Sequence, residues 1–315
     1  MRIPFPKFQE SFSRNVWMIA VLALLASGGL FLYQSAAIGQ DKSREILADD
    51  VTKNRPKGNK KRLSGQRPKV YRLAAGRPST INTPASSNGL IGVTIWHLRP
   101  AMKTDTGARM LLSGAERSDY VAQRASSDTP LQRGAKVRLS IESARNGYLY
   151  VIDRDLFADG STGSPVLIFP VRKIRDGDNK VRPGRLIDIP GQHDIFNHFE
   201  AKPTKKGQVG ELLSVLVTAE PLDLPLADVS LRIPAADLAN WEKKWGSGVQ
   251  KFEMVGGVGQ QWTNAEKEAA TDSGRRLRQD EPPPQTVFRL PDGKDDGLLV
   301  SVTLRYQQTK PRSRR

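Results

Sequence analysis

Val137, Leu139 and Ile141 alternate with Arg138 and Ser140, and Val300, Val302 and Leu304 alternate with Ser301 and Thr303. A period of two is that of a strand, whose successive side chains point to opposite faces. The pattern buries one face of each strand and leaves the other wet. Further short runs follow the same composition: "GLIGVTIWHL", "GYLYVID", "PVLIFPV", "RLIDIP", "HFEAKP" and "ELLSVLVTAEPL" are rich in Val, Ile, Leu and aromatics and are punctuated by turn residues. Many short strands with few helices between them predict a mainly β domain over residues 88–308. The expected architecture is a single antiparallel β-sandwich of immunoglobulin-like type.

Two stretches break the period. In "PAADLANWEKKWG", Leu238, Trp241 and Trp245 fall at helical spacing and Gly246 supplies a stop, which predicts a helix over Ala235–Trp245. The tryptophans either dock this helix on the sheet or line a ligand platform. "TNAEKEAA" opens with Thr263 and, three residues on, Glu266, the spacing of a capping box. A second short helix is expected over Asn264–Ala270.

Ahead of the strands, Arg2, Lys7 and Arg14 precede an uncharged apolar run from Val16 to Tyr33, and Ala37 and Gly39 then sit at −3 and −1 of a cut before Gln40. Basic, apolar and small-residue segments in that order read residues 1–39 as a signal peptide, so the body is expected to be exported, periplasmic or extracellular. The run is also about as long as a minimal membrane span, and a retained single-pass anchor is the alternative. Residues 40–87 mix Pro, Gly, Ser and basic side chains with neither hydrophobic period, which predicts a disordered basic linker. A basic tail, 309–315, ends the chain.

Composition narrows the partners. The 315 residues carry a formal net charge of +16, which favours anionic surfaces without choosing among them. Ten Lys or Arg residues lie between Lys53 and Arg77, so residues 53–77 are the candidate contact with an anionic surface. Tyr71 is the one aromatic among them, and nucleic acid is not favoured. There is no cysteine, which excludes disulfides, thiolate catalysis and cysteine zinc sites.

Asp153, Asp155 and Asp159 crowd into "GYLYVIDRDLFADGSTG". A calcium loop starting at Asp155 would place Phe157 and Val166 at ligand positions, which rejects it. Asp153 and Asp155 share a strand face and either work as paired carboxylates or belong to a wet strand end. Ala158-Asp159-Gly160 has the chemistry of a hairpin turn. "RDGDNKVRPG" reads as two turns, with Asp176, Asp178 and Asn179 as an alternative cation loop. His97, His193 and His198 match no zinc spacing. "GGVGQQW" lacks the Lys-Ser/Thr of a phosphate loop, and Trp262 stands where a dinucleotide fingerprint has its last glycine. No catalytic, cofactor-binding or metal-binding residue is assigned, and no cofactor is expected.

The run "AKVRLSIESARNGYLYVIDRDLFADGSTGSPVLIFPVRKIRDGDNKVRPGRLIDIP", with "NWEKKWGSGVQKFEMVGGVG", "PPPQTVF" and "LLVSVTLRY", closely resembles the bacterial family catalogued as domain of unknown function four-three-eight-four. The resemblance spans about Gly89 to Tyr306 and implies a β-rich accessory module of secreted, anchored or signalling proteins, with no established catalytic residues. Two functions follow as expectations. One is a non-enzymatic extracytoplasmic module of the cell envelope that binds a protein or polymer partner. The other is a secreted or anchored hydrolase in which Asp153, Asp155, Asp176 and Asp178 converge on a cleft.

Overall fold

The computed structural model describes residues 50–58, 71–75, 89–112, 119–271, 274–290 and 296–308. In chain order the first strands are β1 (Leu73–Ala75), β2 (Leu90–Pro100), β3 (Arg109–Leu111), β4 (Asp119–Ala125) and β5 (Lys136–Ser143). The long β6 (Gly147–Phe157) follows, then β7 (Val166–Phe169), β8 (Lys180–Val181), β9 (Ile187–Ile189) and β10 (Phe199–Glu200). The rest are β11 (Gln208–Thr218), β12 (Leu231–Arg232), β13 (Gln250–Met254), β14 (Thr286–Arg289) and β15 (Gly297–Arg305). They form two antiparallel sheets. The first runs β1-β13-β14-β2-β4-β3, and β5 joins it beside β2 with β9 and β10 as flanking strands. The second runs β12-β7-β6-β11-β15, with β8 on one end of β6. Every flank of the first sheet, β1, β3, β9 and β10, is three residues long or shorter.

The predicted alternation sets the core. Across β2 and β5, Val93 faces Ile141 and Ile95 faces Leu139. Across β11 and β15, Leu213 faces Val302 and Val215 faces Val300. These residues, with Leu149 and Val151 of β6, form one buried cluster drawn from both sheets. Each such aliphatic side chain contributes roughly 1.5–3 kcal/mol by leaving water. Outward on β15, Ser301 and Arg305 are exposed, as the pattern requires.

The other expected wet face is dry. Outward on the first sheet, Arg138, Ser140 and Glu142 of β5 are buried with Thr94, Trp96 and Arg124. They lie under a covering layer whose charges meet theirs. Arg55 binds Glu142 at 2.6 Å, Arg124 pairs with Glu266, and Arg138 stands 3.5 Å from Asp188. Trp96 Nε1 donates to Ser140 Oγ at 2.7 Å, and the Trp96 ring packs 6.1 Å from that of Trp262. A polar residue in a period-two strand marks the face away from the core, but a second layer can bury that face once every charge has a partner.

Part of that layer comes from the stretch expected to be a disordered linker. Residues 50–52 are helical, and Val51 and Leu73 are buried with Leu90, Met254 and Val287. Strand β1 lies antiparallel to β13, with Leu73 opposite Met254, and so covers an edge that would otherwise be open. The linker expectation over 40–87 is corrected for residues 50–58 and 71–75, because apolar Val51 and Leu73 and the Arg55 guanidinium each find a buried partner.

Both expected helices are present. Helix α1 (Ala235–Trp245) buries Leu238 and Trp245 against Tyr150, Ile152, Leu216 and Leu299 of the second sheet, with Trp241 packed alongside. The tryptophans therefore dock the helix. Helix α2 (Asn264–Ala269) carries the full capping box, with Thr263 accepting from the Glu266 amide and Glu266 accepting from that of Thr263. The signal or anchor segment 1–39 and the tail 309–315 lie outside the described residues. Among the described residues no helix is long and apolar enough to cross a membrane.

Candidate functional site

The aspartate stretch is a hairpin. Strands β6 and β7 pair antiparallel, and Gly160 N–H donates to the Phe157 carbonyl at 3.0 Å. Gly160 takes φ 84°, which glycine adopts without a Cβ clash. Asp159 Oδ1 accepts from the amide and hydroxyl of Ser161 at 2.9 and 2.7 Å, so its carboxylate holds the turn.

Asp153 and Asp155 do share a face, but it is the inner one, continuing the row of Leu149 and Val151. This corrects the wet-strand-end expectation. On β11, Glu211 lies opposite Asp155 and Leu213 opposite Asp153, so three carboxyl groups crowd one strand pair at the rim of the core. Glu211 Oε1 accepts from Tyr306 Oη at 2.6 Å and from Gln208 Nε2 at 2.7 Å, and Lys205 Nζ donates to Asp155. The other Glu211 oxygen and Asp153 Oδ1 are buried with no hydrogen-bond partner. Burial, then the charge of Asp155, pushes the Asp153 carboxyl up to about 6. Burial, then the charge of Asp153, pushes Glu211 up to about 7. Two carboxyls so placed cannot both ionise cheaply, and the pair retains a proton towards neutrality.

Asp176 and Asp178 do not join them. The segment 175–177 is a 3-10 turn leading into β8, and Lys180 of β8 pairs with Tyr148 at the start of β6. From Gly147 to Asp153 the strand advances about 20 Å at ~3.3 Å per residue. Asp178 is engaged by Arg185 at 2.8 Å and by the Lys180 amide, while Asn179 donates to the Leu149 carbonyl at 3.1 Å. These are the hydrogen bonds of turns. Among the described residues, no group of three or more His, Asp or Glu side chains is placed to hold a metal ion.

The histidines sit apart. His97 lies on β2, where burial and then Arg99 lower its pKa, and His198 is 3.0 Å from Lys136 Nζ. The "GGVGQQW" stretch is a turn ending at Trp262, which is buried against Trp96.

Two recesses, of about 580 and 720 Å³, flank α1 on the outer face of the second sheet and share Arg154 and Glu242. Arg154 Nη2 donates to Glu242 at 2.5 Å and to Ser214 at 3.2 Å, and its Nε is buried without a partner. Ile233 and Leu238 line the first recess; Leu212, Phe288 and Leu299 line the second. Both are open grooves with apolar walls and a few polar groups.

Comparison of the chain with protein-family models, with curated proteins and with solved structures gives no match.

Sequence reasoning missed Glu211 and Arg154 as site residues. Glu211 was accessible to it, since the residue falls in phase with Leu213, Val215 and Val217 and so points inward. Arg154 was not, because its partner lies 88 residues away on α1.

Proposed function

We propose that this chain is a non-enzymatic extracytoplasmic binding module of the bacterial cell envelope, built as an immunoglobulin-like sandwich and related to domain of unknown function four-three-eight-four. The buried cluster common to both sheets supports the sandwich. The signal-like order of residues 1–39 supports export, with a retained anchor as the alternative. The observation that carries the binding reading is the pair of open grooves meeting at Arg154 and Glu242, with apolar walls and a few polar groups. The four aspartates named for hydrolysis stand at opposite ends of β6, which weighs against a shared cleft. Electrostatic contact through residues 53–77 now excludes Arg55, whose charge is spent on Glu142.

Co-sedimentation of the chain with isolated envelopes across a salt series tests this. Bound protein falls as salt rises, since exposed charges are screened over about 8 Å at physiological ionic strength. A fraction that persists at high salt is lost in Arg154→Ala. Hydrolysis of an envelope polymer that disappears in Asp153→Asn or Glu211→Gln would replace this reading with the enzymatic one, in which the raised Asp153 and Glu211 carboxyls act as acid and base.

A further inference from the structure

Among the described residues, several of the most exposed large apolar side chains fall on neighbouring segments. Ile195 and Phe196 are 69% and 71% exposed, Leu111 64% and Met102 55%. Hydrogen bonds fix them as neighbours. Asn197 Nδ2 donates to the Leu111 carbonyl at 2.9 Å, which seats the Ile195-Phe196 tip beside the edge strand β3. Arg109, on the same exposed face of β3 as Leu111, reaches the Met102 carbonyl at 3.4 Å. Lys267 Nζ donates to the Arg109 carbonyl at 2.7 Å, and Gln192 of the loop donates to the Lys267 carbonyl at 2.8 Å. The loop is held in place as well. Asp194 accepts from the Gly191 amide and, at 3.2 Å, from the Arg175 amide.

Cationic side chains border this patch. Lys103 and Arg109 are exposed around it, Lys267 is half-buried beside them, and Lys136 stands beside His198 just past the tip. Of the acidic groups nearby, Asp105 is engaged by Arg99 at 2.6 Å, Asp119 by Arg109 at 3.4 Å and Asp194 by the loop amides, while exposed Glu200 lies opposite Lys136 across β10 and β5. An ordered apolar tip with cationic side chains at its border is complementary to a surface with an anionic outer layer and an apolar interior. Adjacent large apolar residues held outward on a braced loop are a feature of interaction and membrane-contact surfaces.

We propose that Ile195 and Phe196, with Leu111 and Met102, insert into the interfacial layer of an anionic lipid bilayer, while Lys103, Arg109 and Lys267 contact its headgroups. This deepens the envelope reading by naming the surface, and rests on it only for location.

The chain has no cysteine, so a single introduced thiol reports one position cleanly. The full chain carrying Ile195→Cys, labelled with a polarity-sensitive fluorophore, is mixed with vesicles of phosphatidylglycerol and phosphatidylcholine, or of phosphatidylcholine alone. Val258→Cys, at a 57% exposed site on a different turn, is the control. The label at 195 shifts to the blue and escapes iodide quenching with anionic vesicles only, and the label at 258 does neither. Adding Arg109→Glu and Lys267→Glu raises the anionic lipid needed for half the shift by at least about tenfold. A label at 195 that stays quenchable while the chain co-sediments with envelopes would overturn the insertion and leave the envelope reading standing. Equal shifts with both vesicle types, or protection without vesicles as protein concentration rises, would also overturn it, the last in favour of a protein contact.

Discussion

Arg55 donates from Nε and Nη2 to the two oxygens of Glu142, at 2.7 and 2.6 Å, across 87 residues of sequence. Both side chains are shut off from solvent, and the guanidinium also serves the Glu281 and Pro282 carbonyls at 3.0 and 3.2 Å. Removing one partner of such a pair strands a buried charge, whereas removing both does not. Arg55→Ala is expected to cost about 3–5 kcal/mol in urea denaturation, and Arg55→Leu with Glu142→Leu to recover most of that loss. Additive costs in the double variant would show that the two residues act independently.

The Asp153 and Glu211 carboxyls predict how stability follows pH. Their folded pKa values, about 6 and about 7, exceed the ordinary carboxylate range, so the folded state binds protons that the unfolded state has released. Stability is therefore full below about pH 4 as far as these groups go, falls as pH rises to about 7, and then levels. Partial exposure of Glu211 reduces the effect to roughly 1–3 kcal/mol. Asp153→Asn and Glu211→Gln should each flatten the fall in the denaturation midpoint between pH 5 and pH 8. An unchanged slope in both would mean that the carboxyls titrate normally.

Leu73 tests whether β1 belongs to the fold. It is buried in the cluster with Met254 and Val287, so Leu73→Ala is expected to cost about 2–4 kcal/mol. Thermal melting of this variant beside the parent chain is sufficient. No change would return residues 71–75 to the status of a tether.

Thr263 and Glu266 separate a cap from an ion pair. Thr263→Ala removes the hydroxyl that accepts from the Glu266 amide and should cost about 1 kcal/mol. Glu266→Ala also strands Arg124, and should cost about 3 kcal/mol or more. Equal losses in denaturation would mean that the Arg124 pairing contributes nothing.

The strands, both helices and the hairpin were legible because each depends on local spacing. Val137, Leu139 and Ile141 declare a core face by alternation, and Thr263 and Glu266 declare a helix start by a three-residue interval. What the residues between them meet is a tertiary matter. Arg138, Ser140 and Glu142 read as solvent-facing, yet Asp188 and Arg55 arrive from distant segments to pair with them. The same holds for the carboxyl cluster. Asp153 and Asp155 were visible as a pair, but the third member sits on β11, and only the strand register places it opposite.

The short flanks of the first sheet bear on how this molecule meets others. A long bare strand offers a ladder of free amides and carbonyls on which another chain can crystallise as fibril. Here β1 and β3, at the ends of the strand path, and β9 and β10, beside β5, offer at most three rungs apiece. The nine-stranded sheet thus offers little backbone template to seed stacking, and such contact is left to the second sheet, which ends on the nine-residue β15.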